Sequence, residues 1–196
     1  MVRTIAKDYD EKRRHILSVA AQVFSRHGVA RASMSEVAST CGISKALIYH
    51  YYASKDDIIF DILDRYLESL RDRVCGLELS DLSPPEQLRL ITRELLLAYE
   101  GMDHEHKIQT EGIHLLSSEK QRQLRNYQRQ LVDCMSDILV RCSPKKLSTS
   151  GKYRREVTMS VFGMLNWFYM WNAHATRQER IDYAATVSEL TLNGIS

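Results

Sequence analysis

The chain has 196 residues, 44% hydrophobic and 27% charged, with a formal net charge of +2. These are ordinary values for a soluble globular protein, enough for one large domain or two small ones. Only 8 Gly and 3 Pro leave little punctuation for many turns, so long helices are expected instead of many short strands. The four cysteines, Cys41, Cys75, Cys134 and Cys142, lack CxxC spacing. They therefore give neither a zinc site nor a disulfide framework, and a reducing cytoplasm is the expected location. The first residues contain no apolar signal-peptide core. Val157 to Thr176 is a 20-residue stretch without Asp, Glu, Lys or Arg. Its aromatics cluster within it instead of flanking it, and Ser160, Asn166, Asn172 and His174 suit lipid poorly, so a buried helix is expected and no membrane span. Charge is distributed unevenly: residues 1–55 hold nine Lys and Arg against four Asp and Glu, while the remainder is mildly acidic. A basic head points to a polyanionic partner.

In chain order, Asp10 to Arg26 reads as a first helix, with Ile16, Val19, Ala20, Val23 and Phe24 at helical spacing and Gly28 as its left-handed cap. Ser33-x-x-Glu36 is a capping-box pattern that opens a second helix presenting Met34, Val37, Ala38 and Cys41 inward. Gly42 supplies a sharp turn and Ser44 the N-cap of a third helix. Ser54-x-x-Asp57 repeats the capping pattern and opens a long helix to about Val74. Further helices are expected at Glu86–Tyr99, after a polar break at Gly101–Asp103 to near Leu116, and from Ser117–Glu119 to about Arg141. A polar loop follows over 143–151, and helices at Tyr153–Ala173 and Arg177–Leu192 close the chain. The expected fold is all-α, about nine helices: a three-helix head over 1–55 for DNA binding, and a body over 56–196 for ligand binding and dimerisation.

Two short helices joined by a glycine turn form a helix-turn-helix, whose second helix enters the DNA major groove. On that helix Ile43, Ile48 and in part Leu47 fit the back face, while Lys45, Tyr49 and His50 fit the front. Ser44 and the neighbouring backbone N–H groups suit a phosphate. Lys55 is placed to clamp a second phosphate. Tyr52, and in part Tyr51, read as core aromatics.

The run Phe24-Ser25-Arg26-His27-Gly28, then Ser33 to Ala38, then Gly42 through Asp57 resembles the N-terminal domain of TetR-family transcriptional repressors. The resemblance covers residues 10–65 without a gap. It implies DNA contacts at Ser33, Ser35, Ser44, Lys45, Ala46, Leu47, Tyr49, His50 and Lys55. Two positions depart from the family pattern, which often has glycine at Ala46 and a polar residue at Leu47. Leu47 then offers apolar contact to a thymine methyl, or no base readout.

One recognition helix reads too few base pairs, so a homodimer on a near-palindromic double-stranded operator is expected. The apolar last two helices are the expected interface, through Val161, Phe162, Leu165, Phe168, Ile181, Ala184, Val187 and Leu190. Between head and interface, the middle helices are expected to enclose a small-molecule effector. The lining residues would be Leu63, Tyr66, Leu67, Leu70, Leu96, Tyr99, His114, Tyr127, Leu131, Asn166, Trp167, Met170 and Trp171, large aromatics mixed with isolated polar groups. The run Gly163 to Trp171 is similar to family members that respond to acyl-coenzyme A thioesters, which implies an apolar tunnel and basic residues for phosphates, drawn from Arg89, Arg93, Arg122, Arg125 and Arg129. No cofactor or metal is expected. An enzyme is the weaker reading: in His104-Glu105-His106 the histidines sit two apart and share no helix face, and no HExxH pattern, nucleophile elbow or Gly-rich phosphate loop occurs. A helical adaptor that keeps the head without binding DNA is the remaining alternative.

Overall fold

The computed structural model describes residues 2–172 and 174–195. Every regular element among them is helical: α1 (Val2–His27), α2 (Met34–Thr40), α3 (Lys45–Tyr51), α4 (Lys55–Cys75), α5 (Pro84–Ala98), α6 (Asp103–Gly112), α7 (Ser118–Cys142), α8 (Pro144–Leu147), α9 (Gly151–Trp171) and α10 (Arg177–Ile195), with a 3₁₀ turn at Ile113–Leu115. The all-α expectation holds, with one element more than foreseen. That element is α8, in the stretch expected to be a polar loop, where Pro144 starts a single turn that fully buried Leu147 anchors. The helix starting at Val2 begins well before the expected Asp10, and the end expected at Ala173 lies outside the described residues.

The caps act as the sequence implies. Ser33 Oγ accepts from the Glu36 N–H at 3.2 Å, and Ser44 Oγ from the Leu47 N–H at 3.1 Å, each satisfying one of the orphan donors of a helix N-terminus. Glu36 does not close the capping box; its carboxylate faces His27 Nδ1 at 3.3 Å. Gly28 (φ 83°) ends α1 and Gly42 (φ 68°) turns the chain between α2 and α3, both in the left-handed region that favours glycine.

The chain packs as two compact units, neither continuous in sequence. The first contains everything up to Leu67 together with His104–Leu124; the second contains Glu68–Asp103 and the chain from Arg125 onward. The division expected after residue 55 does not coincide with this one, because the first half of α4 and all but the first residue of α6 pack with the head. In the first unit the core is built from Ile16, Ala20 and Phe24 of α1, Val37 of α2, Ile48 of α3 and Ile58, Ile59 and Leu63 of α4, all at most 2% exposed. Lys107 Nζ on α6 donates to the Ser25 carbonyl at 2.7 Å, and His104 Nδ1 meets Ser25 Oγ at 3.0 Å. Gly112 completes the contact, since a Cβ there would touch Ile59 and Val29 at 3.5 and 3.6 Å. The start of α7 joins them through Lys120 to Asp57 at 2.5 Å and Gln123 to Asp64 at 2.8 Å.

In the second unit α5 and α10 pack along their lengths. Thr92 Oγ1 and Ser188 Oγ share a buried hydrogen bond at 2.7 Å between them, and Arg89 pairs with Glu189 at 2.8 Å. A disulfide joins Cys75, the last residue of α4, to Cys134 of α7, with Cα atoms 6.1 Å apart. This corrects the expectation that the cysteines form no bridge: residues 59 apart in sequence meet only because α4 and α7 run side by side here. No helix of the described residues is long and apolar enough to cross a membrane.

Candidate functional site

The second helix of the head, α3, has one buried residue, Ile48. Lys45, Ala46, Leu47, Tyr49 and His50 all face solvent, with Leu47 37% and Tyr49 46% exposed. An exposed leucine and tyrosine on a seven-residue helix anchored by one isoleucine make an unusually apolar free face. Ser44 Oγ is occupied as the N-cap, so what it presents outward is the helix N-terminus and the positive end of its dipole. Ser33 and Ser35 are exposed in the first turn of α2. The structure thus brings these residues to the surface of one small subdomain.

Lys55 is placed otherwise than expected. Its ammonium donates to the carbonyls of Val29, Ala30 and Ala32 at 2.9, 3.1 and 3.1 Å. All three N–H donors of a lysine are then engaged, and none is left for a phosphate. Lys55 therefore clamps the α1–α2 connection to the start of α4. Nothing in its local sequence signals this, because the carbonyls lie more than twenty residues upstream.

Sequence reasoning also missed the network that holds α3 in place. The Tyr52 hydroxyl donates to Asp61 Oδ2 at 2.5 Å, Arg13 Nε donates to the same hydroxyl at 3.1 Å, and Arg13 and Arg65 each pair with Asp61, at 2.9 and 3.0 Å. Burial first, and the Asp61 hydrogen bond second, push the Tyr52 phenol well above its ordinary value, so it stays a donor at all physiological pH. Tyr51 stacks on Tyr9 of α1, ring centroids 4.8 Å apart. Asp61 and Arg65, four apart on α4, are the one pair of this network that is local in sequence; the other contacts join residues on different elements.

In the body several expectations are corrected. Of the expected interface residues, Val161, Phe162, Leu165, Phe168, Ala184 and Val187 are buried within the protomer, Ile181 is half-buried, and only Leu190, at 60%, is exposed. The cause is helix phase. Because α9 is apolar on more than one face from Val157 onward, pattern alone does not say which stripe faces inward. The inward stripe is Thr158, Val161, Phe162, Leu165 and Phe168. The opposite side carries Tyr153, Val157, Ser160, Met164, Trp167 and Trp171, spaced alternately four and three apart in the manner of a heptad seam. Beside it Leu190, Thr191 and Gly194 of α10 complete a shallow groove of about 280 Å³ with Tyr153, Val157 and Met164.

The same phase displaces part of the expected effector lining. Trp167, Met170 and Trp171 are 61%, 53% and 57% exposed, and His114 is exposed on the 3₁₀ turn. None of these four is part of an enclosed wall. Leu63, Tyr66 and Leu67 are buried in the first unit, where the Tyr66 hydroxyl meets His106 Nδ1 at 3.1 Å. Leu70, Leu96, Tyr99 and Leu131 are buried in the second unit, with Tyr127 and Asn166 half-buried. There the structure joins Tyr99 to Asn166, whose Oδ1 accepts from the Tyr99 hydroxyl at 2.7 Å. Burial pushes that phenol upward, so it too remains a neutral donor. Arg71 lies over the Tyr127 ring at 5.0 Å. His104 and His106 point to different partners, Ser25 and Tyr66, and form no joint site.

Comparison with known proteins agrees with this architecture. Residues 16–62 match the family "Bacterial regulatory proteins, tetR family", and residues 81–195, more than half of the chain, match "Tetracyclin repressor-like, C-terminal domain". The chain is 24% identical over 208 residues to the HTH-type transcriptional regulator AcrR of Shigella flexneri, covering 98% of this chain and 94% of that one. A TetR-family transcriptional regulator from Bordetella parapertussis superposes with a TM-score of 0.85 at 26% identity, over 92% of this chain and 94% of that one. AibR, solved in complex with isovaleryl coenzyme A and operator DNA, shares the fold with a TM-score of 0.74 at 24% identity, over 91% and 97% of the two chains. With the N-terminal family matched over residues 16–62 and the C-terminal one over more than half of the chain, the chain belongs to the TetR family of bacterial regulatory proteins.

Proposed function

We propose that this DNA-binding regulator is a dimeric repressor that occupies a near-palindromic operator and leaves it when a small apolar or acyl-CoA-type effector fills the body. The observation that carries this reading is α3, whose one buried residue leaves its whole outer face for the major groove. Base edges would be met by Lys45, Ala46, Leu47, Tyr49 and His50. Ser33 and Ser35 at α2, and the α3 N-terminus at Ser44, would meet phosphates. Two such helices fit successive major grooves about 34–36 Å apart, so a change in their spacing is enough for release. Lys107, His104 and Lys120 tie α6 and the start of α7 to the head and to α4, which supports transmission of an effector-driven shift of α6 to α3. A coupling of about 1–3 kcal/mol suffices.

The dimer face in this reading is the outward seam of α9 with Leu190 and Gly194 of α10, in place of the buried residues expected first. The effector class is supported by AibR, whose structure holds isovaleryl coenzyme A. Catalysis is not part of the reading: the free thiols of Cys41 and Cys142 are both pushed upward by burial, away from a reactive thiolate. A cytoplasmic location follows from the DNA partner.

The test is a gel-shift salt series on DNA flanking the protein's own gene, followed by titration of acyl-CoA thioesters and the corresponding free acids. Binding that weakens with salt and is released by a thioester is expected. A folded dimer that binds nothing at low salt replaces this reading with the adaptor one.

A further inference from the structure

The Cys75–Cys134 bridge is at odds with a DNA partner, because the compartment that holds DNA keeps thiols reduced, and disulfides formed there are as a rule transient. The surroundings of the pair suit both states. Each cysteine is half-buried, so a small oxidant or reductant can reach the sulfurs. Their Cα atoms are 6.1 Å apart, inside the span of a disulfide. One turn before the bridge on each helix, Arg71 of α4 donates to Gln130 Oε1 of α7 at 2.9 Å, and the same guanidinium lies over the Tyr127 ring at 5.0 Å. Neither contact involves sulfur, so both keep the thiols within bonding reach when the bridge is open. The open form also has an acceptor in place, since the Gln130 carbonyl oxygen lies 3.7 Å from Cys75 Sγ, within reach of an S–H donor. The other two cysteines, Cys41 and Cys142, are free, and burial pushes both thiols upward, which slows their reaction as thiolates.

The place of the pair in the chain gives closure a mechanical effect. The separation of 59 residues encloses α5, α6, the 3₁₀ turn and α7 as far as Cys134. Of this loop, His104–Leu124 packs in the first unit and the remainder in the second. A cross-link at the base of a loop removes conformations in which its ends separate, and so restricts segmental opening of what lies between them. Inside the loop is α6, whose Lys107 and His104 hold Ser25 of α1.

We propose that Cys75 and Cys134 are a reversible oxidation site, a dithiol in the reducing cytoplasm that hydrogen peroxide closes to a disulfide, and that closure holds α5 and α6 against the opening that effector release requires. The inference rests on the cytoplasmic, effector-released reading of the protein. One thiolate attacks the peroxide O–O bond and takes one oxygen as a sulfenic acid, while the other oxygen leaves, with protons, as water. The second thiol then attacks the sulfenic sulfur; the S–O bond breaks, the S–S bond forms and a second water leaves. Each sulfur gives up one electron and peroxide takes two, so two thiols and one peroxide become one disulfide and two waters. Exchange with a dithiol reductant reverses the step through a mixed disulfide.

The test counts thiols in the full-length protein, quenched in acid, unfolded, alkylated and weighed by mass spectrometry. All four cysteines should be alkylated after dithiothreitol and only Cys41 and Cys142 after brief hydrogen peroxide, with a cross-linked Cys75–Cys134 peptide; dithiothreitol should then restore all four. Neither Cys75→Ser nor Cys134→Ser should yield that peptide. A bridge that survives dithiothreitol in the folded protein, or a pair that stays reduced under peroxide, overturns the inference. So does oxidation of Cys41 or Cys142 ahead of the pair. Amide hydrogen exchange over α5 and α6 then compares the two states without effector, and exchange slower by at least about threefold in the oxidised protein is expected. The difference should be absent in Cys134→Ser, and equal exchange in both states of the native protein overturns the effect assigned to closure. At the operator, the oxidised protein should need at least about tenfold more acyl-CoA thioester for release than the reduced one, and an equal response in both overturns that effect as well. If no thioester releases even the reduced protein, the effector reading falls, while thiol count and exchange rates decide the oxidation site by themselves.

Discussion

Arg180 is 3% exposed; among the described residues its guanidinium meets only the Phe168 ring, whose centroid is 5.8 Å from Cζ, and its Nε is buried without an acceptor. A ring face returns far less than a carboxylate for a guanidinium removed from water. Arg180→Met, which keeps the length and apolar contact of the stem, is therefore expected to stabilise the protein by about 1–3 kcal/mol, read as a higher midpoint in urea unfolding. A lower midpoint shows that the charge is compensated. Lys55 is the opposite case, a charge fully engaged by three carbonyls. Lys55→Ala should lower stability by about 1–2 kcal/mol while leaving the salt slope of operator binding unchanged. A slope reduced by about one unit makes Lys55 a phosphate contact after all.

At the scale of elements, what the sequence made legible were the features encoded within a few residues. Ser33, Ser44 and Ser54 announce three helix starts because a cap is a local hydrogen bond, and Gly28 and Gly42 announce turns because φ > 0 is a property of one residue. The phase of α9 was not legible, because a helix apolar on more than one face carries two competing stripes and only its neighbours choose between them. Nor were the attachments of α6 and α7 to the head, or the Cys75–Cys134 bridge, since each joins residues distant in sequence. The Lys120–Asp57 pair gives such an attachment a pH signature. The Lys120 ammonium first, and the Ser54 hydroxyl second, hold the Asp57 carboxyl below its ordinary value of 3.8. A group depressed in the folded state contributes fully above its unfolded value and loses that contribution as pH falls through the folded one. Asp57→Asn should thus lower stability slightly at neutral pH, by less than about 1 kcal/mol given the exposure of the pair, seen as a lower melting temperature, and the deficit should vanish well below pH 4. A deficit that persists in acid assigns it to the cap instead of the ion pair.

For the molecule as a whole, a protomer with one seven-residue reading helix depends on a second copy for specificity. Leu190 is the outward residue best suited to test where that copy sits, because it is exposed and its replacement disturbs no core contact. Leu190→Glu is expected to give folded monomers in sedimentation velocity, with operator affinity reduced by about 10²–10⁴-fold as the linked second half-site is lost. A persistent dimer moves the interface away from the α9–α10 groove.

The seam has an optical consequence as well. The chain has only 2 tryptophans, and both Trp167 and Trp171 stand on the outward side of α9, more than half exposed. All indole emission therefore originates on that face, while the head contributes none. A partner that covers the face shields both rings from water and moves the emission to shorter wavelength; local melting of the first unit leaves it untouched. Subunit exchange and loosening of the reading head are thus separable in one unlabelled sample, by tryptophan colour for the first and by backbone dichroism for the second.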